Sequence, residues 1–466
     1  MHRLRVTFAA LAVRDFRLQW TASMLSTAAF FTTFVLVPVV AYDLTGSFAA
    51  SGLAAMGNGV AMLLLSPFGG VLADRFPKKP LVIAGQLASF VIIAATGFLI
   101  VTELITVSLL FVSTLLSGAA FALTGPARQS WVAELVPTRL LPNAVALQQM
   151  AINIAQVLGP TAASVAVLTS DLNVGVLYLA AAAVFVIVLP LNLILPHTPP
   201  AAAPGRSPVR ELRDGFGYLR RNSRLRILWL FWLLVVTCGF SIQTLMPGIL
   251  DQEFNRPSDE AVVINSIFGF AALAVNLPLA GIVSGRLAWP LLLGTAVLMG
   301  VGIWMVAWAP TYGLILVLSA VAGAGRSGVM LVNQSIMMSN TRPEYFGRVM
   351  SFVLMAFGLS AVIGPLWGIA ADAIGGRETL LLVGAIVLGG SALMLLGWAR
   401  VRRQPLEAGT AAAALAGERP QPLPESETAA PGAAPSPGSS PIFAARLAPV
   451  VLMEGQKPRA TIPSGD

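Results

Sequence analysis

Charged residues in this chain fall in short clusters, and the clusters divide it into long apolar stretches. The charge-free segments are 18–42, 44–73, 80–102, 104–127, 140–170, 172–196, 227–250, 261–285, 287–325, 349–371 and 379–399. Most have the length of one membrane-crossing helix, ~20 residues at ~1.5 Å rise each. The segment 287–325 is too long for one crossing. Trp308-Ala309-Pro310-Thr311-Tyr312-Gly313 interrupts it with turn residues and interfacial aromatics, so it splits there. Its second helix continues past Arg326 to about Asn333. The pattern predicts an all-α membrane protein of twelve transmembrane helices, numbered spans 1 to 12. A transmembrane barrel would show alternating segments of ~10 residues, not these unbroken runs.

Composition agrees. Of 466 residues, 56% are hydrophobic and 11% charged, against ~25% charged in an average soluble domain. The apolar stretch after Arg17 is too long for a signal peptide and reads as span 1. Cys238, His2 and His197 are the only cysteine and histidines. They supply no disulfide framework, no metal site and no partner for nucleophilic catalysis, so neither an enzyme nor a cofactor is expected.

The net charge of +8 is a matter of placement. With the N-terminus in the cytoplasm, cytoplasmic segments before the tail hold 22 of the 29 Lys and Arg, and outer turns hold only Arg256 and Arg377. The positive-inside rule therefore predicts a cell (inner) membrane protein with both termini cytoplasmic. The outer turns carry acids, among them Asp43, Asp251, Asp259 and Asp372. The expected partners are the lipid bilayer and a small-molecule substrate, not nucleic acid, and the chain is expected to act as a monomer.

Residues 1–196 form a six-helix half, 197–226 a cytoplasmic central loop, 227–403 a second six-helix half and 404–466 a disordered cytoplasmic tail rich in Ala, Pro, Ser and Gly. In the loop, Ser207-Pro208 opens a helix whose Val209, Leu212, Phe216 and Leu219 make an apolar stripe flanked by Arg210, Arg213, Arg220 and Arg221. This predicts an amphipathic helix on the inner membrane surface. The halves repeat. Gly118, Gln129-Ser130, Met150-Ala151 and Gly159-Pro160 recur 205 residues later as Gly323, Gln334-Ser335, Met355-Ala356 and Gly364-Pro365. A weaker echo of Gly70–Arg75 lies at Gly281–Arg286. Two parallel repeats about a central cavity suit alternating access.

The loop after span 2 reads Gly69-Gly70-Val71-Leu72-Ala73-Asp74-Arg75-Phe76-Pro77-Lys78-Lys79. It resembles the signature loop of the Major Facilitator Superfamily, with Pro77 where Gly is usual. Pro126–Pro137 and Arg342–Ser351 further resemble the bacterial drug, macrolide and enterobactin efflux branch. The resemblance implies a conformational gate built from Gly70, Asp74, Arg75, Lys78, Lys79, Arg128 and Arg348. In it Asp74 sits near the cytoplasmic start of span 11. An acid there gains from the helix dipole, and Gly69 and Gly70 let span 2 approach span 11 closely. Gly159-Pro160 partly resembles the exporters' antiporter motif, and with Gly364-Pro365 permits close helix packing.

Polar groups inside spans are costly and mark candidate sites. They include Asn58, Gln148, Gln149, Asn153, Gln156, Gln243, Asn265 and Asn276. In the resembled architecture spans 1, 4, 7 and 10 line the cavity, which favours Gln243, Met24, Phe30 and Phe31. Arg326 lies ~21 Å along span 10 and is either a cavity cation or an arginine snorkelling to the inner interface. No acid lies mid-membrane, and no ATP-binding Gly-rich segment is present, so a proton gradient as energy source follows from the resemblance alone. The expected function is secondary active, proton-coupled export of small amphipathic compounds, drugs or siderophore-like molecules. The alternatives are an importer or lysophospholipid-flipping transporter of the same fold, or a non-transporting sensor.

Overall fold

The computed structural model describes residues 8–170, 172–197, 208–280, 287–342 and 345–401. Twelve helices are long and apolar enough to cross a membrane. Spans 1 to 6 are Arg14–Thr45, Phe48–Arg75, Lys78–Val101, Val107–Leu135, Leu141–Thr169 and Val174–Ile194. Spans 8, 9, 10 and 12 are Ala261–Ala280, Ala288–Ala307, Tyr312–Ser339 and Gly376–Val401. Span 10 thus runs about six residues beyond the expected Asn333. No charge or proline lies between Asn333 and Arg342, so nothing stops the backbone ladder there.

Spans 7 and 11 are broken, which the apolar pattern did not indicate. Span 7 is Ser223–Gly239 followed by Ser241–Phe254. The Ser241 hydroxyl donates to the Cys238 carbonyl at 2.6 Å, so the break leaves that acceptor satisfied without water. Span 11 is Phe346–Ile363 followed by Pro365–Ile374. Pro365 has no N–H to donate, and its ring would crowd the carbonyl four residues back.

Turn chemistry fixes several span starts. Thr106 accepts from Leu109 N, Asn173 from Gly175 N, and Asn222 from Arg224 N and Leu225 N. The connecting helix spans Pro208–Arg221. Of its expected stripe, Leu219 is buried with Leu225 and Phe352, while Tyr218 stacks on Tyr345 at 4.2 Å. The helix therefore docks on spans 7 and 11 as well as presenting a basic face.

Packing is densest within spans 1–6 and within spans 7–12. Spans 2 and 11, and spans 5 and 8, make the main seams between them. One end of the bundle carries the acidic turns, with Asp43, Asp251 and Asp372. The other carries the basic turns, with Arg75, Lys78 and Arg139. They are called the acidic and basic ends below.

The glycines that permit close approach to span 11 are not the expected ones. A Cβ on Gly70 would meet nothing, and one on Gly69 would strike Ala122 O of span 4 at 2.2 Å. Span 11 is instead approached at Gly52, where a Cβ would lie 2.6 Å from Pro365 Cα, and at Gly59, 2.4 Å from Ala361 Cβ. Helical rotation explains the correction: Gly59 and Gly69 are ten residues apart, close to three turns but with enough residual angle to change neighbour. Gly159 does pack closely, on Ala28 O of span 1 at 2.3 Å. Gly364 faces only its own preceding turn, and its partner Pro365 makes the contact.

Candidate functional site

Aromatic side chains meet where the two sets of six spans face each other. Phe30 stacks on Phe121 at 4.5 Å and lies near Phe31 and Phe34. Phe34 meets Phe240 edge-on at 6.2 Å, and Phe240 meets Phe357 at 5.9 Å. Such pairs favour offset or edge-to-face geometry and gain ~0.5–1.5 kcal/mol beyond burial. Phe240 can join because it occupies the break in span 7. Met24 is half-buried in span 1. Gln243 donates its amide to Asn265 Oδ1 of span 8, so it already has an interhelical partner.

Arg326 does not snorkel. Its guanidinium lies 4.9 Å from the Phe240 ring and 5.1 Å from the Phe268 ring. Its Nε and Nη1 are buried and lack hydrogen-bond partners among the described residues. Gly239 lets the stem pass, since a Cβ there would sit 3.2 Å from Arg326 Cδ. Each cation–π contact returns roughly 0.5–2 kcal/mol, and burying an ion costs several kcal/mol. The rings alone do not repay that cost.

Arg128, expected at the gate, lines a cleft among spans 1, 3, 4 and 6. It lies 5.9 Å from the Phe121 ring, and its Nη1 donates to Thr27 Oγ1 at 3.4 Å. It borders this small cleft with Phe30, Gln86, Ser89 and Thr124. A second small cleft shares Phe30, Ile93 and Ser117 with the first and is also lined by Asn58, Ser113 and Tyr178. The sequence pattern missed this placement because Arg128 is near the end of its span, where a cation satisfies the topology rule on either face.

At the acidic end, hydrogen bonds tie the two sets of spans together. The Asp372 carboxylate of span 11 accepts from Ser47 Oγ at 2.7 Å, Phe48 N at 2.9 Å and Ala49 N at 3.0 Å. It thereby caps the start of span 2, where free N–H groups and the helix dipole both favour an anion. Tyr42 OH donates to Asp251 Oδ2 and accepts from Gln252 Nε2, both at 3.1 Å. Ser258 donates to Asp43, and Ser164 and Ser266 bond at 2.6 Å between spans 5 and 8. Phe48 is buried between span 7 and span 11: Cβ atoms on Gly248 and Gly376 would overlap its ring, and one on Gly368 its backbone. In the sequence Asp372 is one of several outer acids. The spacing of 324 residues to Phe48 hides the cap from any local pattern.

At the basic end, Lys78 is buried and pairs with Glu134 of span 4. Lys79 donates to Leu193 O and Leu195 O at the end of span 6, where the helix dipole favours a cation. Arg75 is exposed. The side chains of Asp74 and Arg348, and the segments Gly281–Arg286 and 404–466, lie outside the described residues. Breaking a buried pair leaves an uncompensated charge and costs about 3–5 kcal/mol. Lys78→Met alone should therefore lower the detergent melting temperature markedly. Lys78→Met with Glu134→Gln should recover most of the loss. An undiminished melting temperature in Lys78→Met would show the pair to be solvated.

Residues 20–365 and 236–453 match the description of the Major Facilitator Superfamily. The enterobactin exporter EntS of Shigella boydii is 25% identical over 84% of this chain and 94% of its own. The staphyloferrin A transporter of Staphylococcus aureus is 24% identical over 70% and 81%. Among solved structures, the nucleoside transporter NupG aligns over 83% of this chain and 99% of its own at 16% identity, with a TM-score of 0.64. A bacterial homologue of the lysosomal transporter Spinster, inward-facing and unoccupied, aligns over 82% and 96% at 12% identity, with a TM-score of 0.64. The repeated twelve-span bundle, the signature loop and the match along the chain converge: this multi-pass membrane transporter, not an enzyme, belongs to the Major Facilitator Superfamily.

Proposed function

We propose that this transporter exports small amphipathic compounds, drugs or siderophore-like molecules, using the proton gradient. The positive-inside rule puts its basic end in the cytoplasm, with both termini there and the acidic end outside. One observation carries the reading: the acidic end is latched by Asp372 on span 2, while an aromatic, arginine-bearing centre lies behind the latch. In this orientation the latched face is the outer one, and loading is assigned to the cytoplasmic side. An apolar, aromatic wall with few polar groups suits amphipathic cargo. The related enterobactin exporter supports the outward direction.

Two acids would control the exchange. Asp372 ends one half of span 11 and caps span 2 at the outer face. Asp74 ends span 2 and, by the signature loop, serves the start of span 11 at the inner face. A contact made in only one state shifts the balance between states. Export then alternates between the two latches, with cargo and protons changing which is made.

An efflux-deficient bacterium expressing the chain should accumulate less of at least one compound from a panel of amphipathic drugs and siderophores. A protonophore should erase the difference. Accumulation equal to the empty-vector strain throughout the panel would overturn export. Proteoliposomes that move cargo equally with or without an imposed proton gradient would overturn the coupling.

A further inference from the structure

We infer that the cargo carries an anionic group, and that Arg128 and Arg326 receive that group in turn. The inference rests on the transport reading above and adds the class of substrate. Neither arginine forms an ion pair among the described residues, whose ion pairs are Lys78–Glu134, Arg256–Glu260 and Arg377–Glu253. Glu134, the carboxylate nearest Arg128 along span 4, is engaged by Lys78.

Arg326 has the geometry of a binding group. Phe240 and Phe268 hold its guanidinium at 4.9 and 5.1 Å. Rings attract a cation through their faces but offer no in-plane acceptor, and guanidinium N–H donors point outward in the plane. Nε and Nη1 accordingly remain without partners. A two-oxygen anion matches a guanidinium edge with two charge-assisted hydrogen bonds, whereas a neutral amide offers one weaker acceptor and a cation is repelled. The rings Phe30, Phe34 and Phe121 stand close enough through Phe240 to take an apolar body attached to that anion.

The internal repeat assigns the second arginine its place. At the 205-residue spacing, Arg326 corresponds to Phe121 and Arg128 to Asn333. Each half thus brings one cation and one aromatic or amide group to equivalent faces of spans 4 and 10, but the two cations differ by seven positions. They are offset by ~10 Å along the bundle axis. Arg128 is nearer the basic end and borders the small cleft among spans 1, 3, 4 and 6, whereas Arg326 is near the middle of span 10. A single anionic group entering from the basic end meets Arg128 first and Arg326 second. The aromatic rings beside each, Phe121 and Phe240, mark the same route for the apolar body.

The test is equilibrium and stopped-flow binding of three probes to the purified full-length protein: 2-naphthoate, neutral 2-naphthamide and cationic 2-naphthylmethylammonium. They share one ring system and differ in charge. The wild type should bind naphthoate at least about tenfold more tightly than the other two, as expected for one charge-assisted fork. Arg326→Gln should bring the ratio to about one, and Arg326→Lys, which keeps the charge but not the fork, should retain part of it. Arg128→Gln should slow naphthoate association while leaving most of the preference. Three probes bound alike by the wild type, or none bound at all, would overturn the inference, as would an unchanged ratio in a folded Arg326→Gln. A chain that exports drugs without charge preference loses this inference and keeps the transport reading. One that prefers naphthoate and exports nothing keeps the preference and loses the transport reading.

Discussion

Asp372→Asn should shift the transporter toward the state open at its acidic end, and Asp74→Asn should shift it the opposite way. Asp372 accepts three hydrogen bonds at the start of span 2, two of them from backbone N–H groups. Asparagine keeps one acceptor oxygen but loses the charge. Hydrogen bonds to charged groups contribute ~1.5–3 kcal/mol, and a partly buried acid at a helix start gains up to ~2 kcal/mol from the dipole. With part of the bonding retained, the expected shift is about 1–2 kcal/mol, or roughly 5–30-fold in the ratio of states. Asp74 is assigned the mirror role at the other end of the same helix pair, so its loss should favour the conformation latched by Asp372. Spin labels at Leu104→Cys and Trp308→Cys, in a Cys238→Ser background, report opening at the acidic end because both positions are exposed there. The long-distance population should rise in Asp372→Asn, fall in Asp74→Asn and return near the wild-type value in the double variant. Movement of both single variants in one direction would end the two-latch account.

Gly368→Val should hold the acidic end open and abolish transport while leaving the protein folded in the membrane. A Cβ at Gly368 would lie 2.3 Å from Phe48 O and 2.6 Å from Phe48 C. These are backbone atoms at the first turn of span 2, so no rotamer change relieves the overlap. Overpacking costs ~1–3 kcal/mol and occasionally more even where side chains can adjust. Separation of spans 2 and 11 at that end removes the clash, and the outward-open state of the cycle already requires it. The cheapest response is therefore a change of state rather than unfolding. Val40 is buried near this end, at 4% exposure. A cysteine there, in the Cys238→Ser background, should react with an impermeant maleimide added outside far faster in Gly368→Val than with Gly368 intact. Gly389→Ala is the control, because nothing surrounds its Cβ position. Equal labelling with and without Gly368→Val, or equal transport, would show that the two spans do not separate there.

What the sequence alone determined is what depends on solvent and on short spacing. A backbone in lipid must satisfy its hydrogen bonds within each span, so charge-free runs of helical length specify twelve crossings and little else. Lys and Arg cluster where water must meet them. Span starts such as Thr106, Asn173 and Asn222 are legible because a cap acts on its own next turn. The repeat was legible because identical spacing survives in both halves.

Tertiary structure alone decided which face of each span is inward. Lipid tails and a neighbouring helix are equally apolar, so an apolar helix carries little record of its facing side. Hence Gly70 and Gly69 were assigned to the seam with span 11, when Gly52 and Gly59 make it. That Arg128 borders a cleft among spans 1, 3, 4 and 6 is likewise decided by the packing. Arg326 was equally consistent with lipid headgroups or a cavity until Phe240, placed by the break in span 7, and Phe268 enclosed it. The Asp372 cap joins residues more than 300 positions apart through one carboxylate. Only the packed fold brings that carboxylate to the free N–H groups of span 2, where desolvation and the helix dipole make a lone acid into a latch.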